Sequence, residues 1–191
     1  MSKRFQQVMC GLHDKLTAIY HAEAVVLVPG GGTFATEAVA RQFVAETDKV
    51  LILRNGYFSF RWSQILERQS VMETKVIKAR PVGGSESLVF APVPMQELVA
   101  AIRQARPALV FAPHVETSAG VMLPDAYIRR LGAAARDVGA VFVLDGIAAG
   151  VLEMNMVDLN VDVYLTAPQK GWSAAASTGV VLLGPRAVAR L

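Results

Sequence analysis

Seven short apolar runs, separated by stretches with helical spacing, restrict this chain to an α/β architecture. The runs are residues 24–28, 50–53, 73–77, 109–112, 141–144, 163–166 and 179–183. Most are apolar without interruption, as strands covered on both faces are. Residues 73–77 read Glu-Thr-Lys-Val-Ile, a mixed pattern that predicts an edge or more exposed strand. Helical patterns occupy residues 33–46, 58–69, Met95–Ala105 and 125–138, with Pro94 and Pro124 at two of the starts and Gly139 at an end. Strands alternating with helices build a mainly parallel sheet. About a dozen residues, rich in Ser, Ala and Gly, link the sixth run to the seventh. A parallel crossover needs a helix there, so the seventh strand is expected antiparallel to its neighbours. Residues 80–94, rich in Pro, Gly and Ser, read as a long surface loop.

At 191 residues the chain has room for one sizeable domain. Its 53% hydrophobic content supplies a well-buried core and permits a large oligomer interface. The net charge of +3 is spread along the chain, and the adjacent basic pairs Lys3-Arg4 and Arg129-Arg130 read as solvated faces, so nucleic acid is not an expected partner. Cys10, on an N-terminal helix, is the only cysteine. It cannot form an internal disulfide and no nucleophile motif surrounds it, which makes a reducing cytoplasm the default. The polar, basic start lacks a signal-peptide core, and no unbroken apolar run reaches membrane-spanning length.

Three features lie just beyond strand ends, where open parallel sheets bind ligands. Pro29-Gly30-Gly31-Gly32-Thr33 joins the first strand to the first helix. Helix N-terminal N–H groups suit a phosphate, and glycines let it come close. Thr33 either donates a hydroxyl or caps the helix. Alone, the loop fits a phosphate cradle and a capped tight turn equally well. Asp145 ends the fifth strand, although Asp-Gly also starts many turns. Lys170 follows the sixth strand in a segment without other charge, the setting of a nucleophilic amine; alone it reads equally as a loop lysine. Together a phosphate loop, an acid and a lysine on one rim suit a small molecule with a phosphate, a basic ring nitrogen and an aldehyde. Pyridoxal 5'-phosphate is that molecule.

Several motifs in order then carry a family resemblance. They are Gly31-Gly32-Thr33-x-Ala35-x-Glu37-Ala38, Asn55-Gly56-Tyr57-Phe58, His114-Val115-Glu116-Thr117-Ser118-Ala119-Gly120-Val121, Asp145 and Gln169-Lys170. The chain resembles the class V aminotransferases of pyridoxal-phosphate fold type I, a group that includes alanine–glyoxylate, serine–pyruvate and 2-aminoethylphosphonate transaminases. The resemblance implies a three-layer α/β large domain over residues 1–191, with a seven-stranded, mainly parallel sheet and one antiparallel strand. It implies that Lys170 forms the Schiff base and Asp145 pairs with the ring nitrogen. Gly31, Gly32, Thr33 and Gln169 would serve the phosphate, with Gly31 where many relatives have a serine. Phe58 would stack on the ring, with Tyr57 as a competitor, and Ile147 would pack opposite. Thr117 would lie near the phenolic oxygen, and His114 would be structural. No metal site is expected.

Two departures bear on substrate: Ala119 replaces a commonly hydroxylated residue, and residues 172–177 lack the proline-rich form of many relatives. The resemblance also places an N-terminal segment and a C-terminal small domain outside these residues. The small domain is expected to hold the arginine for the substrate carboxylate. Arg54, Arg61 and Arg68 are candidates to replace it but read as facing solvent or a partner subunit. The expected activity moves an amino group from a small amino acid (alanine or serine type) to a small 2-oxo acid (pyruvate or glyoxylate type), in a cytoplasmic homodimer. The alternatives are a cysteine desulfurase-like lyase, disfavoured by Gln169 and Phe58 where histidines are usual, and a truncated fragment that only folds and dimerises. A nucleotide-binding domain is disfavoured by Ala35 in place of a third glycine.

Overall fold

The computed structural model describes residues 2–71, 73–84, 86 and 88–191. In chain order the elements are α1 (Lys3–Tyr20), β1 (Ala24–Pro29), α2 (Gly32–Phe43), β2 (Lys49–Arg54), α3 (Tyr57–Arg68), β3 (Glu73–Lys78), β4 (Arg80–Pro81), β5 (Phe90–Ala91) and α4 (Met95–Ala105). There follow β6 (Leu109–Pro113), β7 (Val115–Glu116), β8 (Val121–Met122), α5 (Asp125–Asp137), β9 (Val141–Asp145), β10 (Val163–Thr166), α6 (Pro168–Gly171), β11 (Thr178–Leu183) and α7 (Pro185–Val188).

Seven strands form one sheet in the order β1-β11-β10-β9-β6-β2-β3. β11 runs antiparallel to both β1 and β10, and every other pairing is parallel. The short link before β11 thus has the predicted effect. Successive strand residues point to opposite faces, and both faces are apolar. Leu51, Leu53, Val110, Ala112, Phe142 and Leu144 pack with α1, α4 and α5 through Leu16, Leu98, Ile102, Ile128 and Leu131. Val50, Ile52, Leu109, Phe111, Val141 and Val143 pack with α2 and α3 through Val39, Phe43, Trp62 and Leu66. Three layers result, and the central strands need their unbroken apolar runs because neither face meets water.

Differences from expectation have local causes. β1 is apolar throughout yet half-buried, because it is an edge strand and Val26 is 45% exposed. The mixed strand β3 is the other edge. α2 stops at Phe43, three residues short of the predicted end, and Asp48 Oδ2 accepts the Ala45 N–H in the turn that follows. The stretch 80–94 contains a small ladder in which Arg80 pairs with Ala91 and Pro81 with Phe90, while Ser85 and Ser87 within it lie outside the described residues. No helix among the described residues is long and apolar enough to cross a membrane.

Candidate active site

Pro113 of β6 stands in register with Asp145 of β9, and Asp145 in turn with Leu165 of β10. Three parallel strands therefore end level. β1 runs the same way as β10, since both are antiparallel to β11, so the glycine turn opens at this rim too. There the chain encloses a cavity of about 200 Å³. Its walls include Gly32 and Thr33 from α2, Phe58 and Arg61 from α3, Thr117 from the β7–β8 turn, Asp145 at the end of β9 and Ile147 beyond it, and Gln169 and Lys170 from α6. Every residue singled out from the sequence for cofactor contact thus meets here except Gly31. Thr36, Pro113 and Ala148 also line the cavity and had no sequence signal of their own, and Val115 lines it from within the 114–121 motif without a role assigned to it.

Gly30 makes the turn into α2 with φ of 118°, a conformation that favours glycine. Gly31 is the helix N-cap in ordinary extended backbone, and a β-carbon on it would meet only Gln169 Nε2 at 4.0 Å. Thr33 is already inside the helix, so it does not cap it. Its Oγ1 instead accepts from Arg61 Nη1 at 2.7 Å. The N–H groups of Gly32 and Thr33 belong to the first turn and have no acceptor within the helix.

Asp145 is held by two donors. Oδ1 accepts the Ile147 N–H at 3.1 Å and Oδ2 the Trp62 indole N–H at 3.1 Å. Burial pushes its pKa up to about 6; the bonds from Ile147 and Trp62 and the charge of Arg61 pull it down, while Glu116 adds to the rise. At neutral pH it is a carboxylate in surroundings that favour a cationic partner.

The wall carrying Phe58 is fixed by Glu116, which is 0% exposed. Its carboxylate accepts from Phe58 N at 3.0 Å, Ser59 N at 2.8 Å, Ser59 Oγ at 2.7 Å and Ser118 Oγ at 2.6 Å. Ser118 Oγ accepts in turn from Tyr57 N at 2.8 Å. The first-turn donors of α3 are thereby satisfied by a strand-exit loop some sixty residues away in sequence. Burial raises the Glu116 pKa, but these bonds outweigh it and leave it below the usual range. Gly56 permits the approach, since a β-carbon there would stand 2.7 Å from Glu116 Cγ. Phe58 rather than Tyr57 faces the cavity; Tyr57 meets it edge-on at 5.7 Å.

His114 is buried, and its backbone N–H donates to the Asp145 carbonyl at 2.8 Å. Burial lowers its pKa against the opposing pull of Asp125, so the imidazole is neutral at pH 7. Lys170 sits on α6, a four-residue helix that the sequence reading placed as plain loop. Pro168 opens it, and Gly171 packs so close to Gly150 that a β-carbon would stand 2.5 Å from the Gly150 carbonyl carbon. The lysine side chain is exposed and reaches the cavity wall. No cluster of potential metal ligands occurs among the described residues.

The family model described as Aminotransferase class-V matches residues 1–191. The chain is 32% identical to the L-aspartate–glyoxylate aminotransferase of Paracoccus denitrificans over 86% of its own length and 40% of that protein's. It is 29% identical to the serine–glyoxylate aminotransferase of Hyphomicrobium methylovorum over 86% of its length and 39% of the relative's. Its fold superposes on the alanine–glyoxylate aminotransferase of Nostoc sp. with a TM-score of 0.84 at 26% identity, covering 99% of this chain and 48% of that one. The chain thus spans less than half the length of these relatives.

Proposed function

The chain belongs to the class V aminotransferase family, and from that premise we propose that residues 1–191 are the cofactor-binding large domain of a pyridoxal-phosphate-dependent aminotransferase. In this reading it moves an amino group from a small amino acid, of alanine or serine type, to a small 2-oxo acid, of pyruvate or glyoxylate type. The relatives' names pair glyoxylate or pyruvate with aspartate, serine or 2-aminoethylphosphonate, which supports the acceptor class and, through serine, the donor type. The observation that carries the reading is the convergence of Asp145, Lys170 and the glycine turn on one cavity.

The residues fit this cofactor. Gln169 Nε2, an amide donor, stands 4.0 Å from the β-carbon position of Gly31, beside the open first turn of α2, so amide NH₂ and helix start together suit a phosphate. Phe58 and Ile147 offer apolar walls for a ring. Asp145, poised near pH 6 by burial, would hold a proton on the ring nitrogen and gain the counter-charge it lacks. When bound, the group supplies an aldehyde for the lysine amine and a protonated ring that accepts the electron pair left at the substrate carbon. Lys170 Nζ would be the base that takes the proton from the substrate Cα and holds it for return. Trp62 and Glu116 would act by orientation, the first on Asp145 and the second on the Phe58 wall.

We read the protein as a cytoplasmic homodimer. Phe5, Val8, Leu12 and Ile19 of α1 and Val26 of β1 stay exposed, which supports association. The lone, exposed Cys10 supports a reducing compartment. The test is an absorbance titration with pyridoxal phosphate, followed by borohydride reduction and mass measurement on the wild type and on Lys170→Ala. Covalent cofactor is expected on the wild type only; equal labelling of the variant would overturn the assignment.

A further inference from the structure

The charged lining of the cavity is unbalanced: Arg61 and Lys170 face one carboxylate, Asp145. Both donors that reach Asp145 at hydrogen-bond distance are neutral. Among the described residues no carboxylate lies within ion-pair distance of Arg61, whereas Arg41, Arg80, Arg103, Arg136, Arg186 and Arg190 each have one. Arg61 is therefore a cation turned into a cavity without a counter-ion at contact.

Its position is specific. α3 carries it across to the start of α2, where Nη1 donates to Thr33 Oγ1 at 2.7 Å. The guanidinium carbon lies 5.9 Å from the centre of the Phe58 ring, close enough for the ring face to steady it. A guanidinium has five N–H donors in a planar fork, and the Thr33 bond uses one. That bond brings the guanidinium to the first turn of α2, where the N–H groups of Gly32 and Thr33 have no acceptor within the helix. Neither of the other two arginines on this side shares that setting. Arg54 lies 4.9 Å over the Phe60 ring, and Arg68 is exposed in the last turn of α3. The expectation that Arg61 faces solvent or a partner subunit did not anticipate its place in the cavity wall.

We propose that Arg61 is an oxyanion-binding residue of this cavity, clamping an anionic group of a bound ligand against the first turn of α2. This rests on the cofactor reading above and deepens it. Two groups share the required chemistry: the phosphate of the cofactor and the carboxylate of a substrate. The bond to Thr33 ties the guanidinium to the helix start and favours phosphate. A planar fork can bridge two oxygens of one anion, which an ammonium cannot do. The cavity then has its phosphate cation within this chain.

The test compares wild type, Arg61→Gln, Arg61→Lys and the exposed control Arg68→Gln. Pyridoxal phosphate and pyridoxal are titrated by absorbance, and inorganic phosphate and glyoxylate by calorimetry. Circular dichroism checks that each variant is folded. Loss of a charge-assisted bond pair should weaken pyridoxal phosphate in Arg61→Gln roughly ten- to a hundredfold. Arg61→Lys should fall between, while pyridoxal and the control stay near wild type. Weakened glyoxylate with unchanged pyridoxal phosphate would keep the oxyanion role and move it to the substrate carboxylate. Wild-type chain that binds phosphate through Arg61 but not pyridoxal phosphate would overturn the cofactor reading and leave this inference standing. Unchanged affinity of Arg61→Gln for all three anions would overturn the inference while the cofactor reading survives.

Discussion

The indole N–H of Trp62 donates to Oδ2 of Asp145 at 3.1 Å, and the same indole packs on Phe111 with ring centres 4.5 Å apart. A fully buried helix residue thus fixes the acid at the strand end and is itself fixed by the sheet beneath. The carboxylate keeps one orientation with its charge only partly answered.

Asp145→Asn should make the cofactor-free chain relatively more stable as pH rises. The folded pKa of about 6 lies above the ordinary value of 3.8. Between those values the native state holds more protons than the unfolded one, so ionising Asp145 costs stability as pH climbs through 6. Asparagine does not titrate. The stability of the variant minus that of the wild type should rise by up to about 3 kcal/mol from pH 4 to pH 8. Denaturant unfolding across that range measures it; a flat difference would contradict the burial argument. The same variant should lose most of its cofactor-dependent activity.

Trp62→Phe removes the indole donor and keeps most of the packing. The Trp62 bond lowers the Asp145 pKa, so its loss should move the titration of Asp145 further above pH 6. Carbon-13 NMR of labelled aspartate follows this directly. A titration unchanged or shifted downward would show that the bond does not tune the acid.

Glu116→Gln should destabilise the fold by about 2–4 kcal/mol at pH 7. The amide offers an NH₂ group where the carboxylate accepts from Ser59 or Ser118. Because its folded pKa is depressed, Glu116 stabilises the protein above the ordinary carboxylate pKa, and that contribution fades as pH falls through the lower folded value. The variant should therefore lose less stability on acidification than the wild type. Parallel acid-unfolding curves for the two proteins would rule this out.

Two glycines should respond oppositely. Gly56→Ala would drive a β-carbon to 2.7 Å from Glu116 Cγ and should cost about 1–3 kcal/mol. Gly31→Ser places a hydroxyl at an N-cap with room for it and should gain a few tenths of a kcal/mol. Thermal or denaturant unfolding of the pair decides; equal losses would mean that the open space at Gly31 is not usable.

The parts of the site legible in the sequence are those set by local pattern. Asp145 and Lys170 follow uninterrupted apolar strands, so their place at the rim follows from strand direction alone. The antiparallel β11 is legible because its link is too short for a parallel crossover. Glu116 and Trp62 were not legible as working residues, and Arg61 stood only as one of three candidates for a carboxylate clamp. Their partners lie 58, 83 and 28 positions away, and no periodicity encodes a hydrogen bond over such a distance. Glu116 had a signal that could be read afterwards: an acid between Val115 and Thr117 at a strand exit, without nearby basic residues to pair with. The partial exposure of β1 was hidden for a different reason, since hydropathy does not show which apolar strand lies at a sheet edge.

The edge position of β1 also bears on the order in which the molecule can assemble. Among the described residues its only strand partner is β11, with Pro29 opposite Thr178 and Ala24 opposite Leu183. The strand that launches the glycine turn is thus made well before its partner and has nothing to pair with until β11 has left the ribosome. Pairing over so long a separation is slow, because a large loop must close before any contact forms. The central strands β2, β6 and β9 can associate before β11 exists. The acid wall of the cavity can therefore take shape on the growing chain, and the anion wall is completed last.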